Sequence, residues 1–586
     1  MEKLKSQIMR EKGPEIDALK LAAGWDKEDL EKPWVMIESA YGHASPCSYF
    51  LPEIVKRAEQ GVWEAGGAPA LYYFSHVCDG VAQGTEGMRY SLPMRDMYSF
   101  GVEGHFHMGH YDALILISGG DKDLPGFMMA AANLKVPTIF IPGGSMAEGP
   151  DMGRNMGPMT LERVGTIYSM LKRGEISQEE YEFLRESSCP TCYGTCAFLG
   201  TAHTMEIMSE ALGLALPTSA SCPTHQKEIL FLAKKAGRQI INLIENGITS
   251  KHILTQEAFE NAIMIHSAIS GSTNTLLHLP VIAKEAGLKI TIEDFDRLHR
   301  KIPFIVNCRP SGFHPIPAFW YAGGVQRVIK VLKNHLHMDA LTVTGKTVKE
   351  NLEELEKQEY FQKMERYLTN YKLKAEDVIR PINTPLSETG AIAVLKGNIA
   401  PEGSVIKITA LDSSMFVFEG KAKPFNGQDV AINAVFTGKI EPGDIMIIRY
   451  EGPRRGCPEQ YYVTEAIASS EKLSKTTALI TDGRFSGATR GPAIGHASPE
   501  AMAGGPIAVV EEGDIISINI HERTLNITGI KGEKQTEETV INTLKSRLEK
   551  WSLPEDLVPK SGLLSLYSKT AASAAKGGYV ERNFLP

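Results

Sequence analysis

Apolar side chains at Leu51, Ile54, Val55, Ala58 and Val62 recur at three- and four-residue spacing, which predicts an amphipathic helix over 51–64. The pattern then changes. Residues 69–77 read as a buried strand running into Cys78-Asp79-Gly80, and residues 113–118 as a second strand ending in Gly119-Gly120-Asp121-Lys122. Pro125 suits the first turn of a helix reaching about Leu134. Residues 137–142 form a third apolar run, again followed by Gly-Gly. Strand, helix and strand joined by short links predict a parallel sheet. Helical patterning covers 160–187, 203–214 and most of 225–300, broken at Ser270-Gly-Ser-Thr-Asn274, and a charged helical stretch covers 348–377. Beyond Pro381, short β-rich runs at 405–409, 445–450, 477–481, 507–510 and 515–520 alternate with Gly, Pro and Asp turns. The expectation is an α/β protein. An N-terminal αβ domain with a parallel sheet spans 1–380, and a C-terminal β-rich, barrel-like domain spans 381–586.

The chain is long enough, at 586 residues, to bury substantial cores. A formal charge of −8 and the lack of any basic run leave no electrostatic footprint for nucleic acid. Apolar runs fall far short of the ~18 residues of a membrane span. The N-terminus has no apolar secretory segment. A cytoplasmic protein is expected. Eight cysteines are too sparse for a disulfide scaffold, so reduced thiols are expected.

Ligands of open parallel sheets sit beyond the carboxyl ends of the strands, which places Asp79, Asp121 and Lys122 near a site. Asp79, Asp121 and Glu459 together suit a hard cation such as Mg²⁺, although Asp79-Gly80 taken alone reads as a turn. Cys189-x2-Cys192-x3-Cys196 could be half a zinc site, a redox pair, part of a cluster site or buried structure. Cys196 precedes a helix, where local dipoles would favour a thiolate. Thr481-Asp-Gly-Arg-Phe-Ser486-Gly is either an anion-binding turn or the carrier of a serine base, and a serine without a His partner needs a nearby cation. Neither a Walker motif nor a post-strand GxGxxG is present, which removes nucleotide binding.

Ordered motifs run along nearly the whole chain. They include Pro46-Cys47, Cys78-Asp-Gly-Val-Ala-Gln-Gly84, Glu86-Gly-Met-Arg-Tyr-Ser-Leu-Pro93, Asp121-Lys122 and Gly194-Thr-Cys196. Gly271-Ser-Thr-Asn274, Arg309-Pro-Ser-Gly312, Asn398-Ile-Ala-Pro401, Tyr450-Glu-Gly-Pro453 and 481–491 complete the set. With these motifs the chain resembles the dihydroxy-acid dehydratase / 6-phosphogluconate dehydratase family, and the wording from Cys78 to Gly84 resembles its sugar-acid branch. The resemblance implies a hydro-lyase that converts 2,3-dihydroxy acids to 2-oxo acids with Mg²⁺ and an iron–sulfur cluster, 2Fe-2S in preference to 4Fe-4S. It assigns Asp79, Asp121 and Glu459 to Mg²⁺, Lys122 to a carbamylated ligand and catalytic group, Ser486 to the catalytic base, and Cys47 and Cys196 to the cluster. The family pattern has a third cluster cysteine just before Asp-Lys, where this chain has Gly120, and commonly a His where this chain has Phe50. Cys78 and Cys192 are the nearest replacement candidates. With Gly120 in place the cluster is expected to be labile, and Gly120→Cys to raise its occupancy.

The expected substrate is an aldonate-type sugar acid, contacted by Asn274, Arg309, Ser311 and His314. The alternatives are a dihydroxy-acid dehydratase of branched-chain amino-acid biosynthesis, and a family member that lost its cluster and kept a binding or structural role. The resemblance also implies a homodimer or a dimer of dimers, with a small-molecule substrate as the only other partner.

Overall fold

The computed structural model describes residues 3–581 apart from 154, 192, 471, 488 and 490. Cys192 therefore lies outside the described residues.

Four parallel strands form the first sheet: β1 (Trp34–Tyr41), β2 (Ala68–Ser75), β3 (Ala113–Ser118) and β4 (Thr138–Pro142), in the order β2-β1-β3-β4. Tyr41 pairs with Ser75, Ser39 with Ile117 and Ser118 with Pro142, so all four strands end at one rim. β1, β3 and β4 are buried along almost their whole length, Ala113–Ile117 above all, because helices cover the sheet, whereas β2 at the edge alternates half-buried and exposed positions. Helix Leu51–Glu64 buries Leu51, Ile54, Val55, Ala58 and Val62, the stripe seen in the sequence. Helix Asp123–Leu134 follows β3 directly, with Pro125 in its first turn, where a missing N–H costs nothing. A largely helical region from Glu228 to His299 completes this core.

The second sheet has nine strands: β5 (Ile392–Leu395), β6 (Gly403–Lys407), β7 (Val417–Asn426), β8 (Asp444–Arg449), β9 (Ala478–Thr481), β10 (Ala493–Ser498), β11 (Ile515–Asn519), β12 (Thr524–Ile530) and β13 (Glu533–Lys534). Their order is β13-β12-β11-β7-β8-β9-β10-β6-β5. The sheet curls until Lys396, just past β5, bridges Thr524 at the start of β12, with Lys396 N–H donating to the Arg523 carbonyl at 3.0 Å. The α/β class with an N-terminal parallel sheet and a C-terminal β-rich, barrel-like sheet is thus what the chain adopts. One feature differs from expectation. Strands β7 to β10 run parallel, and helices Gln428–Phe436 and Tyr461–Ala468 supply the first two crossovers. This sheet therefore also has a carboxyl rim, carrying the segments after Arg449 and Thr481.

Buried ion pairs and hydrogen bonds join the two regions. Arg89 donates to Glu451 at 2.6 Å, Arg95 donates to the Gly577 carbonyl at 2.9 Å, and the Tyr567 hydroxyl donates to Asp96 at 2.6 Å. Gly456 (φ +83°) lets the loop before Glu459 approach closely, since a Cβ there would lie 1.8 Å from the Arg89 carbonyl oxygen. No described helix is long and apolar enough to cross a membrane.

Candidate active site

The carboxyl rims of the two sheets meet at one cavity of about 470 Å³. From the first sheet it is lined by Cys47 after β1, Cys78 and Asp79 after β2, and Asp121 after β3. From the second it receives Glu459 after β8, and Ser486 with Gly487 after β9. Cys196 and Thr195 reach it on a loop drawn against the chain beyond β4: Ser145 bridges Thr195, and Gly194 (φ +106°) sits where a Cβ would lie 2.4 Å from the Met146 nitrogen. The strand-end rule therefore reaches its target twice, once on each sheet.

The oxygen-bearing wall is densely paired. Lys122 Nζ donates to Asp79 Oδ2 at 2.7 Å, and the Ser91 hydroxyl donates to the same carboxylate. Arg484, with no exposure to solvent, lies between the regions. It donates to Glu459 Oε1 at 2.6 Å, to Ser91 Oγ at 2.8 Å and to the Cys457 carbonyl at 2.6 Å, and approaches Asp79 Oδ2 at 3.4 Å. Asn274 Nδ2 donates to Glu459 Oε1 at 2.9 Å and to Thr201 Oγ1 at 2.8 Å. Burial alone would raise Asp79, but Lys122, Arg484 and the Ser91 hydrogen bond outweigh it and hold its carboxyl at about 2. Asp121 behaves oppositely. Burial, then the charges of Asp79 and Glu459, push it up to about 7 against the pull of Lys122. The two cations thus leave this acidic wall short of positive charge at Asp121. Its all-oxygen donors suit a hard cation. Among the described residues, however, no three His, Cys, Asp or Glu side chains are already drawn around a single-ion position; Lys122 and Arg484 hold Asp79 and Glu459 instead.

The sulfur-bearing wall is built from Cys47, Cys78 and Cys196. The Cys47 thiol lies within electrostatic reach of both Cys196 and Cys78. Cys78 and Cys189 lie within electrostatic reach of Cys196. Of the two readings the sequence left open for Cys196, thiolate or buried thiol, the surroundings favour the thiol. The neighbouring Cys47 favours the thiolate, but burial and Cys189, Cys78 and Asp121 prevail and raise the thiol. The helix beyond it starts only at Thr201, too far to act through its first turn. A wall of soft donors beside a wall of hard ones fits one iron–sulfur group and one divalent cation. Phe50, at the commonly His position, stacks on Tyr193 at 4.8 Å between centroids.

Four residues named from the sequence as substrate contacts fall elsewhere. Arg309 is buried and donates to the carbonyls of Phe313, Pro158 and Met156. Ser311 accepts from Ser270. The cavity lining includes neither of these, nor His314, nor Asn274, which acts through Glu459. Sequence reasoning assigned no role to Arg484, His203 or Lys407. His203 lines the cavity, with Nδ1 3.2 Å from Ser221 Oγ and Nε2 buried without a hydrogen-bond partner among the described residues. A histidine on a core-facing helix carries no signal that separates it from a packing residue. Lys407, at the end of β6, buries its Nζ without a hydrogen-bond partner among the described residues and shares a second, small cavity with Ser486, Gly487 and Thr489. Burial lowers its ammonium to about 7.

Comparison with known proteins decides the family. Residues 32–351 match the dihydroxy-acid/6-phosphogluconate dehydratase N-terminal model and residues 377–578 its C-terminal counterpart. The chain belongs to this family. Similar proteins include the dihydroxy-acid dehydratases of Acetivibrio thermocellus and Halothermothrix orenii, each 40% identical over 568 residues that cover 96% of this chain and 97% of the relative. That of Saccharolobus islandicus is 41% identical over 563 residues, 95% of each chain. The dehydratase is therefore a hydro-lyase of a generally metal- and iron–sulfur-dependent family. The sugar-acid reading is corrected by the same finding, because relatives along almost the whole chain carry the name dihydroxy-acid dehydratase. The short motif from Cys78 to Gly84 weighs little against identity of that extent.

Proposed function

We propose that this dehydratase removes water from aliphatic, branched 2,3-dihydroxy acids to give 2-oxo acids, the branched-chain biosynthetic reaction. The observation that carries the substrate class is that relatives matching 95–96% of the chain bear the name dihydroxy-acid dehydratase. Among the polar side chains of the cavity, Leu161, Val164 and Phe198 offer an apolar stretch to a branched tail.

In the same reading Asp79, Asp121 and Glu459 hold Mg²⁺, with Lys122 beside them able to serve as a carbamate ligand. Cys47 and Cys196 hold a cluster of the 2Fe-2S type. When bound, these groups supply positive charge at the substrate carboxylate and C2 oxygen and a Lewis acid for the C3 oxygen. Ser486 takes the C2 proton. Its alkoxide form is favoured by positive charge nearby. Gly487 packs against Gly200 and Thr201 at the start of helix Thr201–Ala211, and Lys407 lies behind the same loop. Loss of the C2 proton and of hydroxide from C3 gives an enol, which becomes the 2-oxo acid. His203 Nε2 offers a hydrogen-bonding position to a substrate oxygen.

The subunit is proposed to work as a homodimer or dimer of dimers. β2 is an edge strand, and Leu71, Tyr73, Trp63, Tyr49 and Val77 expose large apolar surface around it.

The test is to supply anaerobically prepared, metal-reconstituted enzyme with a branched 2,3-dihydroxy acid and an aldonic acid in parallel, trapping the 2-oxo product. The branched acid should be favoured at least tenfold in kcat/KM. A preference for the aldonic acid would overturn the assignment.

A further inference from the structure

The residue before Asp121-Lys122 is glycine, and the structure shows what has taken the space above it. A Cβ on Gly120 would lie 2.1 Å from His76 Cε1 and 2.7 Å from Asp123 Oδ1. His76 follows β2 and is buried. Its Nδ1 is 2.7 Å from Asp123 Oδ2 and its Nε2 is 3.2 Å from Ser45 Oγ. An imidazole fixed at both nitrogens fills the volume that a side chain at 120 would need. The same histidine lies within electrostatic reach of Cys78, two residues further on. Cys78 in turn lies within electrostatic reach of Cys47, as Cys196 does. Cys47, Cys78 and Cys196 all line the cavity. Cys189 is within electrostatic reach of Cys78 but is not part of the cavity wall.

The backbone explains how Cys78 and Asp79 can both face the cavity. β2 ends at Ser75, and Asp79–Ala82 is already a helical turn with Cys78 as its N-cap. The alternation of a strand, which would send neighbouring side chains to opposite faces, does not extend this far.

We propose that Cys78 is the third thiolate ligand of the iron–sulfur group, the ligand having moved from the end of β3 to the end of β2. His76 occupies the volume left at residue 120. Each of the three thiols gives up its proton to solvent as its sulfur bonds iron, so the site binds with three thiolates and no redox step. This rests on the reading that the chain carries such a group.

The experiment is anaerobic reconstitution of the full chain with iron and sulfide. Iron, acid-labile sulfide and visible circular dichroism are then measured without reference to turnover. Cys78→Ser should lose cluster absorbance and iron as fully as Cys47→Ser does, at least fivefold. Cys189→Ser should match the parent. Gly120→Cys alone should not raise iron content, because His76 blocks the side chain; this replaces the gain expected from sequence. In the unsubstituted holoprotein, Cys47, Cys78 and Cys196 should resist alkylation and become reactive on iron chelation. This measurement needs no variant to fold. Cys78→Ser with parental iron and spectrum, or Cys78 alkylated freely in the holoprotein, would overturn the ligand assignment while leaving the cofactor in place. Unsubstituted protein that takes up no iron would overturn the cofactor reading itself, and the assignment with it.

Discussion

The two sheets bring different chemistry to the same cavity. The four-stranded sheet ends in Cys47, Cys78, Asp79, Asp121 and Lys122, a rim made mostly of donors to metals. The nine-stranded sheet contributes Arg484, Ser486 and, behind them, Lys407, a rim of cations and the proposed proton acceptor, with Glu459 as its only acid among the described residues at the cavity. The first rim comes from strands followed closely by helices, with β1, β3 and β4 almost wholly buried and β2 at the edge half-buried on one face. The second comes from long loops anchored across the interface by Arg484. With the roles proposed above, the division assigns ligand geometry and proton transfer to separate structural elements, so that each can be perturbed without the other.

The sharpest way to test the division is Ser486→Ala. It should lower substrate-dependent exchange of the C2 hydrogen with deuterated solvent by ~10³-fold or more, with iron content and melting temperature unchanged. Exchange at the parental rate would place the base on the other rim. Asp121→Ala should cut turnover by at least ~10²-fold and weaken Mg²⁺ binding measured by calorimetry, while the iron–sulfur spectrum stays intact. A spectrum lost with the acid would join the two donor walls into one unit. Arg484→Gln strikes the seam itself. With Glu459 left buried without its ion pair, and Asp79 keeping only Lys122 as a charged partner, destabilisation of roughly 3–5 kcal/mol is expected in denaturant melts without divalent cation, and a smaller loss in millimolar Mg²⁺. An unchanged melt would show that the rims dock without it.

The smallest effect concerns Lys407 and depends on pH. Its folded-state value of about 7 lies below the ordinary 10.5, so between those values the unfolded chain holds a proton that the folded chain lacks. Its contribution to stability therefore rises with pH from about 7 towards 10.5, and is at its most unfavourable below 7, where the buried amine must be charged. Lys407→Met should be more stable than the parent by about 1–2 kcal/mol at pH 6, with the advantage gone by pH 10. An equal gap at both pH values would mean that Lys407 does not titrate in the fold.

Much of this arrangement was legible in the sequence, and unevenly so between the two sheets. Strands β2, β3 and β4 fall within a residue or two of the runs read at 69–77, 113–118 and 137–142, because uninterrupted apolar stretches between turns leave few alternatives. β1 escaped notice although it is central in the sheet. Glu38 interrupts its apolar run, and the fold accommodates that carboxylate by pairing it with His105 Nδ1 at 2.9 Å. In the second sheet β7 was hidden by Glu419, Lys421, Lys423 and Pro424, and the run at 507–510 is a 3₁₀ turn over Pro506–Val509. Missing β7 and the two crossover helices meant missing the parallel strands, and with them the reason that Glu459 and Ser486 stand at a rim. Asp79, Asp121 and Lys122 could be placed by the strand-end rule. Arg484 could not, because its importance lies in partners 25 to 405 residues away.

The chain order of the two rims has a consequence during synthesis. All three proposed sulfur ligands are complete by residue 196, whereas Ser486 is added 486 − 196 = 290 residues later. At roughly 5–20 residues per second, the thiols precede the rest of the cavity by about 15–60 s. Throughout that interval the nascent chain presents Cys47, Cys78 and Cys196 without the wall that later encloses them. Their encounter with sulfur-delivery machinery, or with oxidants, is thus a matter of timing on the ribosome as much as of affinity in the finished enzyme.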